Sequence, residues 1–241
     1  MTQQRRPFVV VIVLALFFLA GLVTVLLGSG PAPDGAITPA SNQGETVLIL
    51  GVDNLSAPQP RLVAVWMATY SPENRDLILL GQPIDRLICN SPPANLQQLF
   101  GWDPGSGLSL AFLAAFKPSP PDAYVVADET AFATLIDELQ GLELDGARLE
   151  GDQVVAVLRT LYDKPAGLLS TQEQFLIALS RRAVQTSSQV DITKLTNLIP
   201  GHAYTSVPPV DLITLYLRLQ PLGPSSILVY APQLEPPACE G

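Results

Sequence analysis

Few residues of this chain have the types and spacing that chemistry needs. Gly107-Leu108-Ser109-Leu110-Ala111 comes nearest to a nucleophile elbow, which requires a strand before the serine and a base beside it. No strand pattern precedes Ser109, and the only histidine, His202, is distant and follows Pro200-Gly201. Ser109 therefore reads as a helix start and His202 as a surface loop residue. Two cysteines and one histidine cannot supply a four-ligand Cys/His zinc site. No glycine-rich loop with lysine is present to cradle phosphates. Cys89 and Cys239 are the only cysteines. The Pro-rich tail around Cys239 has no other evident attachment, so the two are expected to pair as a disulfide.

The elements that must position any site are easier to read. The chain has 241 residues, of which 48% are hydrophobic and 15% charged. The charged share is below the usual quarter or so, which excludes a disordered chain and fits one domain with an appendage. Asp and Glu number 22 against 13 Lys and Arg, a net charge of −9. No basic face is available for nucleic acid, so no nucleic-acid partner is expected.

Residues 8–27 are apolar and uncharged, long enough to cross ~30 Å of hydrocarbon as a helix. Arg5 and Arg6 precede them and no basic residue follows before Arg61. The positive-inside rule then predicts a single-pass cell-membrane protein, with residues 1–7 cytoplasmic and the rest outside. A cleaved signal is the competing reading, but its apolar core is ordinarily only ~7–15 residues. Residues 28–45 are rich in Gly, Pro, Ala and Ser and read as a flexible linker. The domain is placed at 46–235 and a short C-terminal tail at 236–241.

Within the domain, apolar runs at 46–50, 62–70, 77–81, 123–127 and 227–231 predict strands. The second and third are separated by a short polar turn and suggest a hairpin. Helices are expected at 96–100, 108–116, 152–161, 192–199 and 210–219, with Asp128 capping another that ends at Gly141. Asp145-Gly146 predicts the turn of a small hairpin over 142–149. Ser170-Thr171-Gln172-Glu173 fits a capping box that opens a helix to 186. The reading is an α/β (α+β) sandwich, a central mixed β-sheet flanked by helices. An apolar pocket is expected between the sheet and the helices carrying Leu110, Phe112, Phe175 and Leu179; the alternative is that these side chains simply fill the core.

In order along the chain, several pieces resemble the LytR-CpsA-Psr family. Thr46 to Asp53 is similar to its opening strand, which ends Gly-x-Asp, and Arg61-Leu62-Val63-Ala64 falls on its Arg-Ser-Asp-Thr. Gln82-Pro83-Ile84-Asp85-Arg86 falls on Ile-Pro-Arg-Asp-Thr, and Pro121 to Val126 on Ile-Asp-Tyr-Tyr-Val-Val. Leu149 to Arg159 resembles Leu-Asp-Gly-Glu-Gln-Ala-Leu-Ala-Tyr-Val-Arg, and Gly167 to Leu176 the family's Gly-Arg-x-x-Arg-Gln-Gln-x-Phe-Leu. The resemblance implies a membrane-anchored extracytoplasmic protein that handles a glycopolymer on a polyprenyl pyrophosphate carrier and delivers it to a peptidoglycan or other cell-wall acceptor. It implies catalytic roles for Arg61, Asp85 and Arg159, substrate binding by Arg61, Arg159 and Gln172, and Mg²⁺ at Asp53. Planar arginines suit pyrophosphate oxygens, and carboxylates suit the Mg²⁺ that bridges them.

Five positions depart from the pattern. Val63 replaces the family's metal-site Asp, and Ile84, Leu161, Leu168 and Thr171 replace arginines. All five are uncharged. The expectation is a weakened Mg²⁺ site and weakened or lost transfer, with Asp163 and Lys164 as nearby charges that offer partial compensation. The second reading is a non-catalytic envelope module, binding a lipid or a partner on the same fold.

Overall fold

The computed structural model describes residues 46–71, 73–89, 94–118, 120–186, 194–195, 197–207 and 226–232. The expected anchor helix at 8–27, the linker at 28–45, the helix at 210–219, most of that at 192–199, Cys239 and the tail lie outside the described residues. Among the described residues no helix is long and apolar enough to cross a membrane.

The elements run β1 (Thr46–Val52), β2 (Leu62–Ser71), β3 (Asp76–Gly81), β4 (Leu87–Ile88), β5 (Ala94–Asn95) and α1 (Leu96–Leu99). There follow β6 (Trp102–Asp103), β7 (Gly107–Leu108), α2 (Leu110–Ala114), β8 (Ala123–Asp128) and α3 (Glu129–Glu138). The remainder is β9 (Leu142–Leu144), β10 (Ala147–Leu149), α4 (Gly151–Arg159), α5 (Pro165–Thr186), β11 (Ala203–Thr205) and β12 (Ile227–Tyr230). A six-stranded sheet in the order β11-β8-β1-β2-β3-β12 forms the centre. It is mixed: β1 pairs antiparallel with β2 and parallel with β8. The predicted hairpin is β2–β3, with Trp66 opposite Gly81 and Ser71 opposite Asp76.

Strand pleat divides the apolar side chains into two clusters, because successive residues of a strand face opposite ways. Leu48, Leu50 and Val52 join Phe112, Leu135 and Phe175 in one. Val47 joins Trp66, Leu77, Leu79, Val125 and Leu169 in the other. The sheet is thus buried on both faces, as its continuous apolar strands required.

Besides the unforeseen two-residue strands β4 to β7, three elements differ from expectation. The long helix begins at Pro165, not after the box at Ser170. Proline at the first helical position has its φ preset and lacks only an N–H that the first turn leaves unpaired. Burial of Leu168 and Leu169 then holds that extra turn. The helix expected at 108–116 is only Leu110–Ala114, capped by Ser109, whose side chain accepts from the Phe112 N–H at 3.2 Å. Gly107-Leu108 instead pairs with Trp102-Asp103. Strand β11 was not foreseen. Its three residues carry too short a pattern, and it exists through its pairing with β8.

Candidate functional site

Two adjoining cavities lie where β1, β2 and β8 meet α3, α4 and α5. The first is apolar and holds about 120 Å³. Its walls include Val63, Trp66, Phe132, Leu158, Phe175 and Leu179. A β-bulge shapes one wall. The β1–β2 register runs from Gly51 opposite Ala64 to Val52 opposite Leu62, which leaves Val63 as the extra residue. Bulges re-aim side chains in this way. Of the four residues expected here, Phe175 and Leu179 line the cavity. Phe112 is instead fully buried in the core, and Leu110 is 85% exposed. Helix α2 is one short turn, with only its Phe112 side directed inward.

The second cavity is polar, more open, and holds about 580 Å³. It shares Asp128, Glu129 and Tyr162 with the first. Asp128 ends β8 and caps α3, accepting from the Ala131 N–H at 3.0 Å. Its other carboxylate oxygen lies 2.9 Å from His202 Nδ1 and accepts from the Leu55 N–H at 3.4 Å. The carboxylate is buried and already accepts backbone N–H groups, so Nδ1 of His202 is the donor. The Asp128 N–H in turn donates to the His202 carbonyl at 3.0 Å. His202 is a half-exposed turn residue, as expected, and just before β11 it is held against Asp128 at the end of β8.

Glu129, the first residue of α3, faces Arg159, the last residue of α4. Arg159 Nε donates to Glu129 Oε2 at 2.9 Å, and its Nη2 makes a second, shorter contact to the same oxygen. Tyr162 O–H donates to Glu129 Oε1. Burial, reinforced by the Glu129 carboxylate, pushes the Tyr162 hydroxyl far above its usual pKa. The hydrogen bond and charge of Glu129 raise Arg159 likewise. Tyr162 also carries Arg61, whose guanidinium lies 5.5 Å from the ring centroid and donates to the Tyr162 carbonyl at 2.8 Å.

The expected site residues fall into this arrangement unequally. Arg159 and Asp53 line the polar cavity. Arg61 stands beside it through Tyr162 and pairs with Asp163 at 2.8 Å. Asp163 is thus Arg61's partner. Asp53 Oδ1 accepts from the backbone N–H groups of Asn54 and Arg61, at 2.7 and 2.8 Å, and shapes the turn between β1 and β2. Gln172 lies inside the apolar cavity wall. Its side chain donates to the Val63 carbonyl at 2.8 Å and accepts from Trp66 Nε1 at 3.2 Å. Asp85 is exposed in the turn after β3 and lines neither cavity. Cys89 is disulfide-bonded.

Three of the five replaced positions have joined the core, while Leu161 and Thr171 are only partly buried. Val63, Ile84 and Leu168 are buried at 7%, 4% and 1% exposure, where a charge without a partner is costly. The carboxylates that line the polar cavity all have partners within the chain. Asp53 is turned to backbone N–H groups, Asp128 to His202, and Glu129 to Arg159 and Tyr162. Among the described residues no group of three or more His, Cys, Asp or Glu side chains is placed to hold a metal ion.

Sequence reasoning missed Glu129, Tyr162 and the Asp128–His202 pair. Asp128 carried a signal for helix capping only, and nothing in the local pattern marks the other three.

No protein-family model matches the chain, and neither does any curated protein sequence. Solved structures do. The chain matches TagT bound to LIIa-WTA with a TM-score of 0.60 and 18% identity, over 85% of this chain and 86% of that one. It matches a LytR-Csp2A-Psr enzyme from Actinomyces oris with a TM-score of 0.62 and 18% identity, over 81% and 83%. It matches B. subtilis TagV with a TM-score of 0.58 and 17% identity, over 80% and 85%. These are likenesses of fold at low identity: the chain has the LytR-CpsA-Psr fold.

Proposed function

We propose that this protein is a membrane-anchored, extracytoplasmic cell-envelope module, which binds a polyprenyl-linked glycan but has weakened or lost its transfer chemistry. One observation carries the reading. An apolar and a polar cavity adjoin and share Asp128, Glu129 and Tyr162, which suits a ligand with a greasy end and a hydroxyl-rich end. The similarity to TagT, seen in complex with LIIa-WTA, supports the ligand class. In scale, the apolar cavity of about 120 Å³ is close to the ~150 Å³ void that holds benzene. It takes the first part of a prenyl tail, and a longer tail has to widen it.

The test is photolabelling of the full chain in nanodiscs with a diazirine-bearing geranyl glucoside, whose head group is neutral and hydroxyl-rich. Labelling is expected on the peptide that carries Phe175 and Leu179, with or without Mg²⁺. Labelling confined to residues 8–27, or absent, would exclude a lipid-tail site. The non-catalytic partner-binding module would then be the better reading.

The anchor at 8–27 and a Cys89–Cys239 bridge belong to the same proposal. Cys89 is already disulfide-bonded, and Cys239 is the only other cysteine. Non-reducing mass mapping of the protein from the membrane fraction checks both at once. The expected result is an intact N-terminus and a linked Cys89–Cys239 peptide pair. A mature form starting within 28–45 would show a cleaved signal, and free thiols at both positions would reject the bridge.

A further inference from the structure

The polar cavity is furnished for an anion, yet its one guanidinium and the hydroxyl beside it are already turned to a carboxylate of the chain itself. Arg159 presents a planar guanidinium, the group best matched to carboxylate and phosphate oxygens. Tyr162 presents a hydroxyl beside it. Both converge on Glu129, one on each carboxylate oxygen. The Glu129 side chain is only 11% exposed, while that of Arg159 is 62% exposed. The acid is thus the deeply set partner and the arginine the outer one. The remaining ring donor, His202 Nδ1, is held by Asp128. Asp53, Asp128 and Glu129 line the cavity against the permanent charge of Arg159 alone, with His202 the only other titratable base. A polyanion entering this cavity meets a like-signed wall and an Arg159–Tyr162 pair already turned to Glu129.

We propose that Glu129 is the specificity-determining residue of this cavity. It is a built-in occupant that holds the Arg159–Tyr162 fork as a phosphate would. The natural chain therefore rejects polyanionic head groups and accepts neutral, hydroxyl-bearing ones. This rests on the lipid-linked glycan reading only for the identity of the head group it filters.

The experiment is calorimetric titration of the full chain in nanodiscs with inorganic pyrophosphate, which has no tail and so leaves the lipid question aside. The natural chain should bind it feebly. E129A should bind it about tenfold or more tightly, as expected when charge-assisted donors are released and a like charge removed. E129A/R159Q should lose the gain. Equal binding by the natural chain and E129A, or a gain that survives R159Q, would overturn the assignment. If E129A does not fold, ¹⁵N-arginine spectra of the natural chain decide. The Arg159 Nε resonance should hold still under millimolar pyrophosphate, and a saturable shift would reject the proposal. Failure of geranyl labelling alongside a gain in E129A would sink the lipid reading and leave this one standing.

Discussion

Glycan transfer from a polyprenyl-pyrophosphate-linked sugar, with Mg²⁺ supplied, should run about four powers of ten below that of a transferase carrying all the arginines of the family pattern, in the same assay. The figure follows from the donors that are missing. The family pattern implies about six arginines around the pyrophosphate, and four of those positions carry Ile84, Leu161, Leu168 and Thr171. Each charge-assisted hydrogen bond contributes roughly 1.5–3 kcal/mol. Losing four removes on the order of 6 kcal/mol, even without strict additivity. At ~1.4 kcal/mol per decade this gives the stated deficit. The structure adds that the two survivors are committed elsewhere, Arg61 to Asp163 and Arg159 to Glu129. Arg159→Ala should accordingly leave the residual rate unchanged. Robust turnover that vanishes in Arg159→Ala would restore the transferase.

Gly151→Ala should lower stability by about 3 kcal/mol or more. Gly151 opens α4, where α4 crosses α3. An added Cβ would sit 2.2 Å from the Ala133 carbonyl oxygen and 2.6 Å from the Ala133 Cα and carbonyl carbon. These are backbone atoms inside a helix and cannot rotate aside. Overpacking ordinarily costs ~1–3 kcal/mol, and the upper end applies where the obstacle is rigid. Alanine's better helix propensity returns less than ~1 kcal/mol. For a domain of this size the midpoint of thermal unfolding should fall by roughly 6–12 °C. Gly201 is the control. Nothing lies within 4 Å of its added Cβ, so Gly201→Ala should change stability by no more than about 0.5 kcal/mol. Equal midpoints for the two variants would show that the helices part easily, contrary to the packing described.

The sheet was legible in the sequence because its longer strands are nearly continuous apolar runs. Each of the five predicted runs falls on a strand, and errors are confined to ends, as at Val52, which follows the Gly51 of the bulge. Strand β11 escaped because its partner, not its own three residues, defines it. The candidate site was legible only as a set of absences. The replacements at Val63, Ile84 and Leu168 stand in plain view, but their burial is a tertiary fact. The bonds that now define the cavity join residues 30 positions apart in Glu129–Arg159 and 74 apart in Asp128–His202. No helical or strand period spans such distances, so a carboxylate that takes an arginine out of service leaves no local trace.

Trp66 gives the molecule its own optical gauge. The chain has two tryptophans. Trp66 forms part of the apolar cavity wall, with its indole N–H fixed on Gln172. Trp102 belongs to the small β6–β7 pair and packs edge-on against Tyr204, 4.8 Å between ring centres, lining neither cavity. Filling the apolar cavity displaces solvent or void next to one indole and leaves the other's surroundings alone. The colour and lifetime of the ultraviolet emission thus divide into a fixed background and a component tuned by occupancy, so a chain with Trp102→Phe reads its own cavity without any attached dye.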